Sequence, residues 1–471
     1  KLEEHLNDGV SNARCIDIFD MFSGTSTGAI IAGALAWGVS VDDLIRLYDE
    51  RGNAIFTKNM ATKQTAIFVG AGAVAIVGYL LGGPVGAVLG FLVGAVAAGA
   101  LAHVVGDELF IPKYDHQPLK CILKSLFKDD TLAHCHRDIL ITAKDTFRSE
   151  TVYFTAFHPK PLAPGASEND VKSYLNETRG TYKDVRLRSA IIASAGSAPL
   201  FFDPIGRFID GGVGSYNNTC YVATVEALRF SGCPQPAVDE LGNQIRIIDK
   251  VVAPTPTETW PVYVQKTTDQ LYNADNLKVI SFGTGRMTNK IKVGMAIEQC
   301  ALNWVKWLIT EGMDDADEQQ TYIVRNELRL VAFSRFQLWF TKTAVKELKT
   351  LAQSLNLNTT AIDESIDLLD LELDAIHHFN FLNQVGIVFG EWLRRNDPGK
   401  TGSRFLVTQG LIELGNPIQD NPSKFHIDPY SAEVKAELLN ENALNQCDNY
   451  RLCFLNFRKT ILLQDKVKKP S

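Results

Sequence analysis

The strongest constraint on this chain is a long stretch without charge. Gln64 to Gly106 covers 43 residues with no Asp, Glu, Lys or Arg, ten glycines, and otherwise mostly Ala, Val, Leu and Ile. In a protein with 21% charged residues overall, such a segment is not an ordinary solvent-facing loop. Gly82-Gly83-Pro84 divides it into two apolar arms, Thr65 to Leu81 (17 residues) and Pro84 to Val105 (22 residues). A membrane-spanning helix needs about 20 apolar residues, so the first arm is marginal and the second sufficient. Gly82, Gly86, Gly90, Gly94, Ala98 and Ala102 recur every four residues, a stripe that lets helices pack backbone to backbone. A helical hairpin returns the chain to the side it left, so the flanking sequences can share one domain. Two readings stay open: docking on or in a membrane, and burial in the interface of a homo-oligomer.

The flanks alternate strand and helix patterns. Ile16 to Phe22 has strand composition, Ser23 to Gly28 is a tight turn, and Ala29 to Trp37 and Val41 to Asp49 have helix composition. Asp138 to Thr142 and Thr151 to Phe157 read as strands, and Arg188 to Ala195 as a helix. Arg207 to Ile209 leads as a strand into Asp210-Gly211-Gly212, and Lys278 to Phe282 is a strand ended by Gly283-Thr284-Gly285. This alternation predicts an α/β fold with a largely parallel sheet. From about 290 to 393 the pattern turns helical, with Trp304, Trp307, Phe336 and Trp339 as apolar faces. Arg394 to Ser403 is a polar break, and the residues beyond it have no assignable pattern.

Composition removes some functions. A net charge of −7 and the lack of a basic stripe with interleaved aromatics exclude nucleic acid as the main partner. Eight dispersed cysteines, none paired at zinc-binding spacing, read as reduced thiols of an intracellular protein, with a few disulfides in a secreted one as the alternative. No metal site and no cofactor motif is evident.

Gly24-Thr25-Ser26-Thr27-Gly28 fits the nucleophile-elbow pattern Gly-x-Ser-x-Gly. A serine on a sharp strand-to-helix turn sits in strained backbone, and the flanking glycines let neighbouring backbone pass closely. The turn also sets Ser26 at a helix N-terminus, where free N–H groups can hold an oxyanion. Taken alone, the pattern fits a phosphate-binding or plain tight turn equally well. A nucleophilic serine needs a base. His134 and His136 read as surface or edge residues, His377-His378 as packing, and no other histidine has a strand-end context. Asp210 does: it ends a strand, and Gly211 and Gly212 after it permit close backbone approach. Alone, Asp-Gly-Gly also reads as an ordinary turn.

Together these stretches resemble patatin-like phospholipases. The matching pieces, in family order, are Phe19 to Gly28, Ala193 to Phe202 (ASAGSAPLFF), Ile209 to Val213 and Ile280 to Gly285. The resemblance implies a patatin-like three-layer sandwich with a mostly parallel central sheet, built from residues 1–63 and 107–393 around the 64–106 insert. A helical C-terminal part and an appendage at 394–471 complete the chain. It also implies a dyad, Ser26 as nucleophile and Asp210 as base, acting without histidine on phospholipid or other acyl-lipid esters. Thr27 would give an oxyanion N–H. Asn217-Asn218-Thr219 follows the aspartate loop where the family often has Asn-Pro.

The family's Gly-rich oxyanion loop, expected just before a helix, has no equivalent in the sequence. Lys1 to Asn7 reads as a helix already under way, so either the chain is cut at its start or its oxyanion hole is incomplete. The leading expectation is a membrane-associated, intracellular lipid acyl hydrolase. An acyltransferase on the same dyad and a membrane-inserting scaffold on an inactive hydrolase fold are the alternatives.

Overall fold

The computed structural model describes residues 14–56, 114–158, 166–198, 201–230, 272, 277–287, 314, 316–328, 330–363, 365–366, 368, 376–396 and 410–415. Gln64 to Gly106, Lys1 to Asn7, Trp304, Trp307, Pro199-Leu200 and nearly all of the expected appendage lie outside the described residues.

The chain opens with a one-turn helix α1 (Cys15–Ile18) and strand β1 (Met21–Gly24). The strand pattern read over Ile16 to Phe22 is therefore half helix, because Asp17 accepts from the Arg14 N–H and closes a turn there. Helix α2 (Thr27–Trp37) follows, then α3 (Val41–Ile55), whose first N–H groups are capped by Ser40 accepting from Asp43. After α4 (Gln117–Phe127) come the hairpin β2 (Asp138–Asp145) and β3 (Glu150–Ala156), then α5 (Glu168–Glu177) and α6 (Leu187–Ala195). Strand β4 (Phe208–Asp210) precedes α7 (Cys220–Val225). The later elements are β5 (Lys278–Phe282), β6 (Arg286–Met287), β7 (Ala332–Phe340), α8 (Lys342–Ser354), α9 (Phe379–Asn396) and β8 (Gly410–Leu414).

The fold is α/β, with two four-stranded sheets among the described residues. In the first, β2 is central. One of its edges is filled by β3, antiparallel from Ile139↔Ala156 to Asp145↔Glu150. Two strands share the other edge. Parallel β1 covers Asp138 to Ile141 and ends with Gly24 opposite Ile141, while antiparallel β4 covers Asp145 to Ala143 and ends with Asp210 opposite Ala143. The ends of β1 and β4 thus run head-on toward each other, about two strand residues (~7 Å) apart along β2. Helix α2, small-residue and apolar on most sides, is buried between this sheet and α6, and Ala29, Ala34, Ala36, Ala190 and Ile191 are fully excluded from water.

The second sheet is all parallel. β7 pairs with β5 (Ser281↔Arg335) and with β6 on one side, and with β8 (Phe336↔Ile412) on the other. Phe336 and Trp339 lie on this strand, not on a helix. The run AFSRFQLWF is aromatic-rich and buried along nearly its whole length, the signature of a central strand, which its place between helical patterns obscured. Helices α8 and α9 cover it through Val345, Leu348, Val385 and Val388. In the first sheet β1 pairs parallel with β2, and β3 and β4 pair with it antiparallel. No helix among the described residues is long and apolar enough to cross a membrane.

Candidate active site

Everything that shapes the site follows from the gap between β1 and β4. Chain leaving β1 must turn at once, and Ser26 does so at φ 55°, ψ −128°, a backbone region that few non-glycine residues adopt. Gly24 makes the turn possible: a Cβ there would lie 2.0 Å from the Gly28 carbonyl oxygen. Gly28 has no such restriction, since the space where its side chain would point is open. That open volume sits beside Ser26 at the N-terminus of α2, where Thr27 begins the helix with an N–H that has no intrahelical acceptor.

Thr142 fills the level between the two strand ends. Its hydroxyl bonds the hydroxyl of buried Thr25, which in turn donates to the Tyr216 carbonyl at 2.7 Å. A Cβ on Gly211 would lie 2.4 Å from the Thr142 Oγ1, so the residue after Asp210 must also be glycine. Asp210 is 5% exposed and accepts from the Gly212 N–H at 2.8 Å. The Ser26 hydroxyl lies near the same carboxylate and favours its charged form. Burial pushes the Asp210 carboxyl up to about 6, partly offset by the Ser26 hydroxyl and the Gly212 N–H.

Residues Gly24, Thr25, Ser26, Thr27, Gly28, Asp210, Gly211 and Gly212 therefore meet at one place. Two supporting serines escaped the sequence reading. Ser194 Oγ, fully buried on α6, accepts from the Ser26 N–H at 2.8 Å, and the Ser197 carbonyl accepts from the Asp210 N–H at 3.1 Å. One short stretch, Ala193 to Ala198, so holds the backbone of both residues; it stood out in the sequence as a family-like segment, with no role for either serine. The Ser26 N–H, being used this way, is not available to an oxyanion.

A carboxylate–imidazole pair does exist, but elsewhere. His158 Nδ1 lies 3.1 Å from Asp138 Oδ1, its Nε2 lies 3.2 Å from the Ala133 carbonyl, and the Tyr272 hydroxyl donates to Asp138 Oδ2 at 2.6 Å. Asp138 starts β2, five residues (~17 Å) from the level of Asp210, so this pair belongs to the opposite end of the sheet. His134 and His136 are exposed, as is His377. Among the described residues no group of three or more His, Cys, Asp or Glu is arranged to hold a metal ion. Surface hollows over α8 are lined by Lys342, Lys346, Trp392 and Arg395, away from Ser26 and Asp210.

Residues 2–223 match the model of the patatin-like phospholipase family. This stretch belongs to that family. No curated protein matches the sequence. The patatin-like domain includes β1, α2, α6, β4 and the loop through Asn218, and stops before the second sheet begins. Patatin-like phospholipases are lipid acyl hydrolases, and the strand–turn–helix at Ser26 and the Asp210 loop both fall inside the matched residues.

Proposed function

We propose that the chain is a serine acyl hydrolase that cleaves fatty-acyl esters of lipids through a Ser26–Asp210 dyad. One observation carries this reading: Ser26, on a strained turn at a helix N-terminus, is brought beside a buried carboxylate that burial pushes up to about 6. A base of that strength is deprotonated at neutral pH yet strong enough to accept a proton from a hydroxyl in the transition state. As Ser26 Oγ bonds to the ester carbonyl carbon, its proton passes to Asp210 and negative charge moves to the carbonyl oxygen, where the Thr27 N–H stabilises it. Collapse breaks the ester C–O bond, and the alcohol leaves with the proton from Asp210. Water then gives a proton to Asp210 and attacks the acyl-serine; the fatty acid leaves and Ser26 Oγ recovers the proton. The open space off Gly28 supports access for an acyl group beside Ser26.

Ser26→Ala and Asp210→Ala should each lower ester hydrolysis by about 10³-fold or more, with the double variant no worse than either, since the pair acts as one unit. Full lipase activity in Ser26→Ala would end this reading.

The uncharged segment 64–106 would bring the site to its substrate by docking on a membrane, and the buried free thiols Cys135 and Cys220 support an intracellular setting. Replacing 64–106 with a short Gly/Ser linker should preserve hydrolysis of a soluble short-chain ester while removing most flotation with liposomes. Equal flotation of both proteins would leave the homo-oligomer interface as the role of the segment.

A further inference from the structure

The loop that leaves Asp210 is anchored in a part of the chain that the family match does not reach. From Gly211 to Thr219 it is tied at three points: Gly212 N–H to Asp210, Tyr216 carbonyl to Thr25, and Asn218 to Asp317 and to Ser281 of the second sheet. Asn218 is buried, and every hydrogen-bonding group of its amide is used. Its Nδ2 donates to Asp317 Oδ1 at 2.6 Å and to Thr321 Oγ1 at 3.1 Å. Its Oδ1 accepts from the Cys220 N–H at 3.0 Å and from Ser281 Oγ at 3.3 Å. Arg335 closes the ring, donating to Asp317 Oδ2 at 2.7 Å and to Ser281 Oγ at 2.6 Å. Ser281 and Arg335 are register partners on β5 and β7, so the sheet itself fixes their spacing. The Asp317 and Arg335 side chains are only 13% and 8% exposed.

A ring of this kind is a poor means of gaining stability, because a buried ion pair typically loses in desolvation what it gains in attraction. What it supplies is orientation. The carboxylate requires the amide nitrogen of Asn218 on its side and the Ser281 hydroxyl requires the amide oxygen on the other, so Asn218 has one permitted setting. Asn218 lies eight residues after Asp210 and two after Tyr216, whose carbonyl holds the Ser26 turn through Thr25. We propose that Asp317 and Arg335 are positioning residues for the Ser26–Asp210 pair, holding the Asp210 loop in register through Asn218. The inference rests on the dyad reading above. It assigns the second sheet a role in the reaction without contact with the substrate.

The groups acting on Asp210 are its burial, the Ser26 hydroxyl and the Gly212 N–H, with no charged neighbour among them. Loosening the loop would therefore admit water and let the carboxyl fall toward its ordinary value. In the full chain, Asp317→Asn should lower kcat on a soluble short-chain ester by about 10- to 10²-fold per site titrated with a fluorophosphonate, with KM little changed. The acid limb of its pH profile should move below that of the unaltered protein. Arg335→Lys should retain more activity than Arg335→Met. Titrating active sites removes unfolded material from the comparison, so a merely structural loss would lower the number of sites and leave the limb in place. Ser281→Ala, a milder break of the same ring, should move the limb in the same direction and serves if Asp317→Asn does not fold. A folded variant with unaltered kcat per site and an unmoved limb would overturn the proposal. Activity surviving in Ser26→Ala would instead overturn the dyad, and the two failures are read from different proteins.

Discussion

Among the described residues, the central strand β2 of the first sheet has neighbours of both directions, whereas in the second sheet β7 has parallel partners alone. The contrast has a chemical consequence. A parallel sheet sends every strand end the same way, and its central strand is buried, so the polar side chains Ser281 and Arg335 can only bond sideways and inward. The mixed sheet lets β4 run back along the edge that β1 has vacated. Two strand ends then face each other across Thr142, and each delivers one reactive group. Chemistry therefore collects in the mixed sheet, and rigid support comes from the parallel one.

Glycines test that contrast most severely. Gly24 faces backbone: an added Cβ would sit 2.0 Å from the Gly28 oxygen, in a turn that cannot yield without moving Ser26. Gly283, at the end of β5, faces the end of the Gln337 side chain rather than backbone, with Oε1 1.8 Å from the same added atom and bonded by Arg335. Gly24→Ala should thus lose on the order of 3 kcal/mol of stability and nearly all activity, and Gly283→Ala about 1 kcal/mol with a smaller loss of activity. Urea melts with matched ester assays check both; equal losses would mean that the two sheets do not differ in this way.

The next largest effect concerns charge. Asp210 titrates near 6 in the folded protein, above the 3.8 of an unperturbed aspartate, because burial disfavours its charged form. The folded state therefore binds this proton more tightly than the unfolded one. The resulting penalty is absent at low pH, grows as pH rises from about 4 to about 6, and is complete above that, reaching up to about 3 kcal/mol. Asp210→Asn should raise the melting temperature at pH 7.5 and lose that gain at pH 4, while activity falls. A gain that does not depend on pH would remove burial as the cause.

Much of this was legible in the sequence, and the reasons differ by region. The elbow and the Asp-Gly-Gly loop could be read because their backbone geometry demands glycine at particular spacings. Strands β2, β3, β4 and β5 showed in their composition. The Ser194 and Ser197 anchors were not visible, since a serine in a small-residue helix looks like packing until its neighbour across the sheet is known. β7 was hidden for another reason: Ser334, Arg335 and Gln337 interrupt its apolar residues, and in AFSRFQLWF no strict alternation separates it from the helices on either side. Arg335 and Asp317 are 18 residues apart in sequence and nearly 100 or more beyond Asn218, with no motif to join them.

The most direct test of the dyad is the reaction of the full chain with a fluorophosphonate, followed by peptide mass mapping across a pH series. The expected result is a single adduct on Ser26, formed at a rate that rises with pH through about 6 as Asp210 loses its proton, and nearly absent in Asp210→Asn. An adduct on another residue, or labelling of Asp210→Asn at the unaltered rate, would contradict it.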